Sequence, residues 1–141
     1  MAQQEPSVQL ERIVSMAYEA AFRVHRKLGP GLLESVYEAC LEHELKKMGL
    51  KVLRQVVLPV IYDGVKLEAG LRIDLLVEDV LIVEVKAVEN IHPVFKAQVI
   101  TYLKLTECLL GLLMNFNVPL IKDGISRIIC SDASAGSADL T

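Results

Sequence analysis

The chain has 141 residues, 52% of them hydrophobic, a formal net charge of -3 and a mean hydropathy of +0.40. That is enough apolar material for one compact domain burying about two-thirds of its unfolded surface without disulfides. The acidic balance argues against a broad basic surface for holding nucleic acid, but leaves room for a small site that works on phosphates.

Cys40, Cys108 and Cys130 are odd in number, widely spaced and free of any C-x-x-C pair, so reduced thiols are expected rather than zinc or a disulfide framework. Reduced thiols suit a cytoplasmic location. The opening MAQQEPSVQLER lacks a basic and then apolar leader, and charges interrupt every long apolar run, so neither export nor a membrane span is expected.

In chain order, residues 1–7 are expected to be a flexible N-terminus and residues 8–130 a single domain. From an N-cap at Ser7, Leu10, Ile13, Val14, Ala17, Ala20, Ala21, Val24 and Leu28 recur at helical spacing until Gly29-Pro30-Gly31 stops the helix. A second helix is predicted from about Leu32, turning Leu33, Val36, Tyr37, Cys40, Leu41, Leu45 and Met48 inward before Gly49 closes it. VLRQVVLPVIY reads as a strand interrupted by Pro59, followed by an Asp63-Gly64 turn. Two hairpin strands follow at about 71–77 and 81–88. His92-Pro93 opens a third helix running to about Thr106, and LLGLLMNF and SRIIC read as closing strands. The small, polar 131–141 segment, SDASAGSADLT, is expected to be a flexible tail.

The hairpin's alternation predicts its register. Leu71, Ile73, Leu75 and Val77 are apolar, as are Leu81, Val83, Val85 and Ala87, so odd positions should form the core face and pair with one another. A three-residue loop at Glu78, Asp79 and Val80 keeps that face whole. It also sets Asp74 opposite Glu84 and Arg72 opposite Lys86. Two carboxylates facing each other across a ladder repel unless a cation or proton lies between them. Carboxylate oxygens with a backbone carbonyl and waters suit Mg2+ or Mn2+, and a lysine on the same face can help deprotonate a water and neutralise a developing phosphate charge. A lone E-x-K is also common on amphipathic strands, with the lysine simply bridging the acids.

The D-x9-E-x-K pattern resembles the core motif of the PD-(D/E)xK nuclease superfamily. GLLESVYE, with Gly31, Glu34 and Tyr37, resembles the signature of the bacterial GxxExxY protein family placed within it. The resemblance runs from about residue 8 to 129, with Ile73 in place of the superfamily's proline. It implies a restriction-endonuclease-like α/β fold in three layers, a central mixed β-sheet flanked by helices, with the site at one sheet edge. It further implies Asp74 and Glu84 as metal ligands, Val85 offering its carbonyl, and Lys86 as the catalytic lysine.

Further residues follow from the same resemblance. Glu34 is read as a third carboxylate in the site, although an acid in a first helical turn is already favoured by the macrodipole. Tyr37, on the same helix face, would either bond a site carboxylate and meet substrate, or pack. Gln98 and Tyr102, one turn apart, resemble the Q-x3-Y pair that lines RecB-like sites. His25 resembles a histidine that some of those nucleases add to the metal shell, against the plainer reading of a solvated basic face with Arg23, Arg26 and Lys27. A second basic cluster, Lys46, Lys47, Lys51 and Arg54, reads as surface charge.

The expected activity is therefore Mg2+-dependent hydrolysis of phosphodiester bonds by a metal-activated water, with DNA favoured over RNA and a homodimer as one way to reach both strands. The alternative is a catalytically inactive nuclease-fold module that binds nucleic acid or protein.

Overall fold

Helix α1 (Val8–Leu28) begins where the sequence places its cap: the Ser7 side chain accepts the Leu10 N–H at 3.0 Å. Seven of its expected apolar positions, Leu10 to Val24, are buried, whereas Leu28 at the helix end is exposed. In this computed structural model residues 6–67 and 70–130 are described, so the expected tail at 131–141 and most of the expected N-terminal segment lie outside the described residues.

Helix α2 (Glu34–Lys47) starts two residues later than predicted. Leu33 and Val36 are exposed rather than inward, and the buried stripe is Tyr37, Glu38, Leu41 and Leu45. Strand β1 (Val52–Val57) ends at Leu58-Pro59, as expected of a residue with no N–H to donate. Beyond it, β2 (Val60–Tyr62) and β3 (Val65–Leu67) close a separate two-stranded sheet about the Asp63-Gly64 turn, so the predicted single strand is two.

The main sheet has five strands in the order β1-β4-β5-β6-β7, formed with β4 (Arg72–Val77), β5 (Leu81–Lys86), β6 (Leu110–Asn115) and β7 (Ile125–Ile129). Helix α3 (Pro93–Thr106) is capped by the His92 side chain and carries the chain across to a parallel β5–β6 pairing; the other pairings are antiparallel. Gly111 on β6 admits this crossover, since a Cβ there would lie 2.7 Å from Val99 Cγ1 of α3.

Helices cover both faces of the sheet. One core joins α1 and α2 to Leu75, Val77, Leu81, Val83, Val85, Leu112 and Met114; a second joins Val99, Tyr102 and Leu103 of α3 to Ile73, Ile82, Leu113 and Ile128. Each fully buried aliphatic side chain of this kind contributes about 1.5–3 kcal/mol. The expectation of one core face and one exposed polar face is thus corrected, because β5 is the central strand and is buried on both sides.

Ile73 packs in the α3 core while Leu75 packs with α1 and α2, so β4 rolls over at Asp74. Across from it the β1–β4 register runs Arg54↔Leu75 and then Val56↔Ile73, with Gln55 between them at a φ of +58°.

Candidate active site

The β4–β5 hairpin closes through the expected three-residue loop. Glu78 and Asp79 take positive φ, the Val80 N–H donates to the Val77 carbonyl at 3.0 Å, and Val77 pairs with Leu81. Odd residues pair with odd ones up to Leu75↔Val83. Continuing that count sets Asp74 against Glu84, and here side chains take over the ladder. The Asp74 N–H donates to Glu84 Oε1 at 3.0 Å, and the Val85 N–H donates to Asp74 Oδ2 at 2.8 Å. The two acids are thereby interlocked at the ends of adjacent central strands, rather than at a lateral sheet edge.

Burial dominates their electrostatics. Glu84 is only 4% exposed. Its carboxyl is pushed up to about 8, first by loss of water and then by the charge of Asp74. Asp74 is pushed up to about 6, first by burial and further by Glu38, while the Val85 N–H and the Lys86 charge pull it back. At neutral pH the pair holds about one proton between its members. Lys86 is the cation that acts on both, and its ammonium sits 4.4 Å from the Phe95 ring centroid, a cation–π contact that fixes its reach. Tyr102 closes the α3 side: it is buried, and burial with the Glu84 charge raises its pKa against an opposing pull from the Arg72 backbone.

Helix α2 approaches from the other face. Glu34, at its first position, accepts the Ala87 N–H at 3.2 Å, just past Lys86, and so lies at the end of β5. One turn on, Glu38 is buried and accepts from Arg54 Nε at 2.6 Å and from Gln55 Nε2 at 2.9 and 2.8 Å; Gln55 Nε2 also lies 3.4 Å from Asp74 Oδ1. The sequence reading passed over Glu38. Its four-residue spacing from Glu34, which puts both on one helix face, was the available signal.

Three other expected residues lie elsewhere or face outward. Tyr37 has no exposed surface; its hydroxyl donates to the Gly29 carbonyl at 2.5 Å and accepts from the Leu32 N–H at 3.1 Å, and its ring stacks on Phe116 at 4.6 Å. It pins the Gly29-Pro30-Gly31 loop, whose Gly29 takes a φ of +68°, and the expected substrate contact is corrected to support of the α2 start. His25 is buried with Nε2 2.8 Å from the Val118 carbonyl, a backbone contact away from Asp74 and Glu84. Gln98 is exposed on α3, one turn before Tyr102.

Of the residues expected to hold a metal, Asp74, Glu84 and the Val85 backbone lie together with Glu34 at the end of β5, whereas His25 lies elsewhere. Among the described residues no group of three His, Cys, Asp or Glu side chains is gathered so as to hold a metal ion. The basic clusters are largely paired: Arg23 with Glu19, Lys46 with Glu42, Lys47 with Glu44 and Lys51 with Asp79. Sequence reading also missed Asn115, a buried amide that accepts the Val88 N–H and donates to the Val88 carbonyl, both at 3.0 Å, and so anchors the chain leaving β5.

A mixed sheet between helical layers, with interlocked acids and a lysine at the end of its central hairpin, defines a nuclease-type α/β domain. The family model of the PD-(D/E)XK nuclease superfamily matches residues 11–128, and the chain belongs to that superfamily. No curated protein and no solved structure matched the chain. Nucleases of this superfamily usually use divalent metals, and membership implies a nucleic-acid partner. No helix among the described residues is long and apolar enough to cross a membrane.

Proposed function

We propose that this protein is a Mg2+- or Mn2+-dependent nuclease of the GxxExxY kind, acting on phosphodiester bonds of DNA in preference to RNA in the cytoplasm. The observation that carries the reading is the acid pair: Asp74 and Glu84 are buried side by side, both shifted upward, with Lys86 too weak a counter-charge to restore them. A divalent cation fits there. Two carboxylates and the Val85 carbonyl would supply part of a coordination shell, with water and phosphate completing it, as Mg2+ prefers.

When bound, such a cation would supply charge to polarise a phosphoryl oxygen and make an attacking water more acidic. The chain's own part is positioning. Asp74 and Glu84 hold fixed acceptors because each is tied to the neighbouring strand. Lys86, steadied by Phe95, presents a cation to the scissile phosphate and neutralises charge that develops there. Tyr102 confines Glu84 from the α3 side, while Glu34 and Gln98 line the approach. The net charge of -3 favours a second reading, a domain that keeps the fold and binds without cutting.

The test is Mn2+ titration by calorimetry on wild type and Glu84→Gln, followed by cleavage assays on single- and double-stranded DNA and RNA. Binding and cutting that both vanish in the variant support the nuclease. A wild type that binds no Mn2+ and cuts nothing sends the search toward partners.

A further inference from the structure

Gln55 occupies an unusual place for its residue type. A φ of +58° is a left-handed conformation that glycine and asparagine adopt readily and a glutamine in a strand does not. The strain falls at the roll of β4, where the register passes over Gln55 and Asp74 together. Its amide Nε2 is 2.9 Å from Glu38 Oε1, 2.8 Å from Glu38 Oε2 and 3.4 Å from Asp74 Oδ1. Unaided, Glu38 would repel Asp74. Arg54, whose Nε lies 2.6 Å from Glu38 Oε2, neutralises it and holds it as an acceptor for the Gln55 amide.

We propose that Gln55 is a positioning residue for Asp74. Backed by Glu38 and Arg54, its amide steadies Oδ1 from the β1 side while the Val85 N–H holds Oδ2 from β5, so the carboxylate is gripped at both oxygens. The strained backbone is what aims the amide, as unfavourable conformations at functional sites often do. The functional consequence rests on Asp74 being a cation ligand. It adds a group that touches neither cation nor phosphate but governs the ligand, a kind of partner whose loss typically weakens metal binding tenfold or more.

The competing account is a bend in an edge strand with an incidental side chain. Gln55→Gly and Gln55→Asn separate the two, because both accept the left-handed backbone and neither carries an amide that reaches Asp74. In the full-length protein three quantities are compared with wild type: the melting temperature, the Val85 amide resonance without metal, and Mn2+ affinity by calorimetry. Positioning predicts melting temperatures equal to or above wild type, a displaced Val85 resonance in both variants, and Mn2+ binding weakened about tenfold. A Val85 resonance unmoved in either variant overturns the inference, and so does a displaced resonance with unchanged Mn2+ affinity. The Val85 signal needs no metal. A wild type that binds no Mn2+, with Val85 displaced in both variants, keeps the grip on Asp74 and removes the nuclease reading alone.

Discussion

In the metal-free protein, raising the pH should weaken the fold, and Glu84→Gln should relieve most of that loss. The Glu84 carboxyl rises from 4.5 in its ordinary state to about 8 in the folded protein, with burial as the leading cause and the Asp74 charge second. Below pH 4.5 both folded and unfolded chains hold the proton, and nothing changes. Between 4.5 and about 8 the unfolded chain has released it while the folded chain keeps it, so the unfolded state binds fewer protons and stability falls as pH rises. At about 1.4 kcal/mol per pH unit the shift has a ceiling on the order of 5 kcal/mol. Asp74, itself raised from 3.8 to about 6, adds a loss of the same sign, so the pair acts as one unit that weakens the fold as pH rises. Such a loss is a large part of a typical stability of about 5–15 kcal/mol. Chemical unfolding in chelator from pH 5 to 9 measures it, with Mn2+ expected to restore stability at the alkaline end of the wild-type series. Stability that stays flat or rises between pH 5 and 8 in chelator would refute the burial argument.

Further outcomes follow from single contacts. Lys86→Met should leave Mn2+ affinity within a few-fold of wild type and lower the cleavage rate by about 10²-fold or more, measured at saturating metal. Tyr37→Phe removes both hydrogen bonds to the Gly29–Leu32 loop and should lower stability by about 1–3 kcal/mol, read by urea unfolding, with little change in Mn2+ affinity. Gly124→Ala places a Cβ 2.1 Å from the Asn115 carbonyl oxygen, so the melting temperature should drop by several degrees through displaced backbone; a variant as stable as wild type would mean that the turn shifts freely.

The parts of the fold legible in the sequence were those set by short-range rules. Ser7 and His92 announce helix starts, Pro59 ends a strand, and the alternation through Leu75, Val77, Leu81 and Val83 fixes the hairpin register and its three-residue loop. What escaped was set by the identity of the neighbours. Alternation cannot tell a solvated face from one covered by α3, so the even side of β5, with Ile82 and Glu84 both buried, read as polar. Leu33 looked like core because helical spacing was extended two residues too early, although the chain there is only the entry to α2. Asp74, Glu84 and Lys86 were readable as a group because they lie on one hairpin. Glu38, Arg54 and Gln55 reach Asp74 from α2 and β1, and no local pattern connects those segments. Phe95 lies on α3, and nothing in the local sequence ties its ring to the Lys86 ammonium that sits over it.

The two acids are rungs of the sheet as well as candidate reagents. Asparagine at 74 and glutamine at 84 would accept the same Val85 and Asp74 N–H groups, carry no charge to bury, and lie a single-base change away from the present codons. A lineage that needed only the rungs would find those amides easily and gain stability by adopting them. Ionisable side chains at both positions are therefore the less comfortable choice for the sheet, and drift alone would not be expected to hold them there.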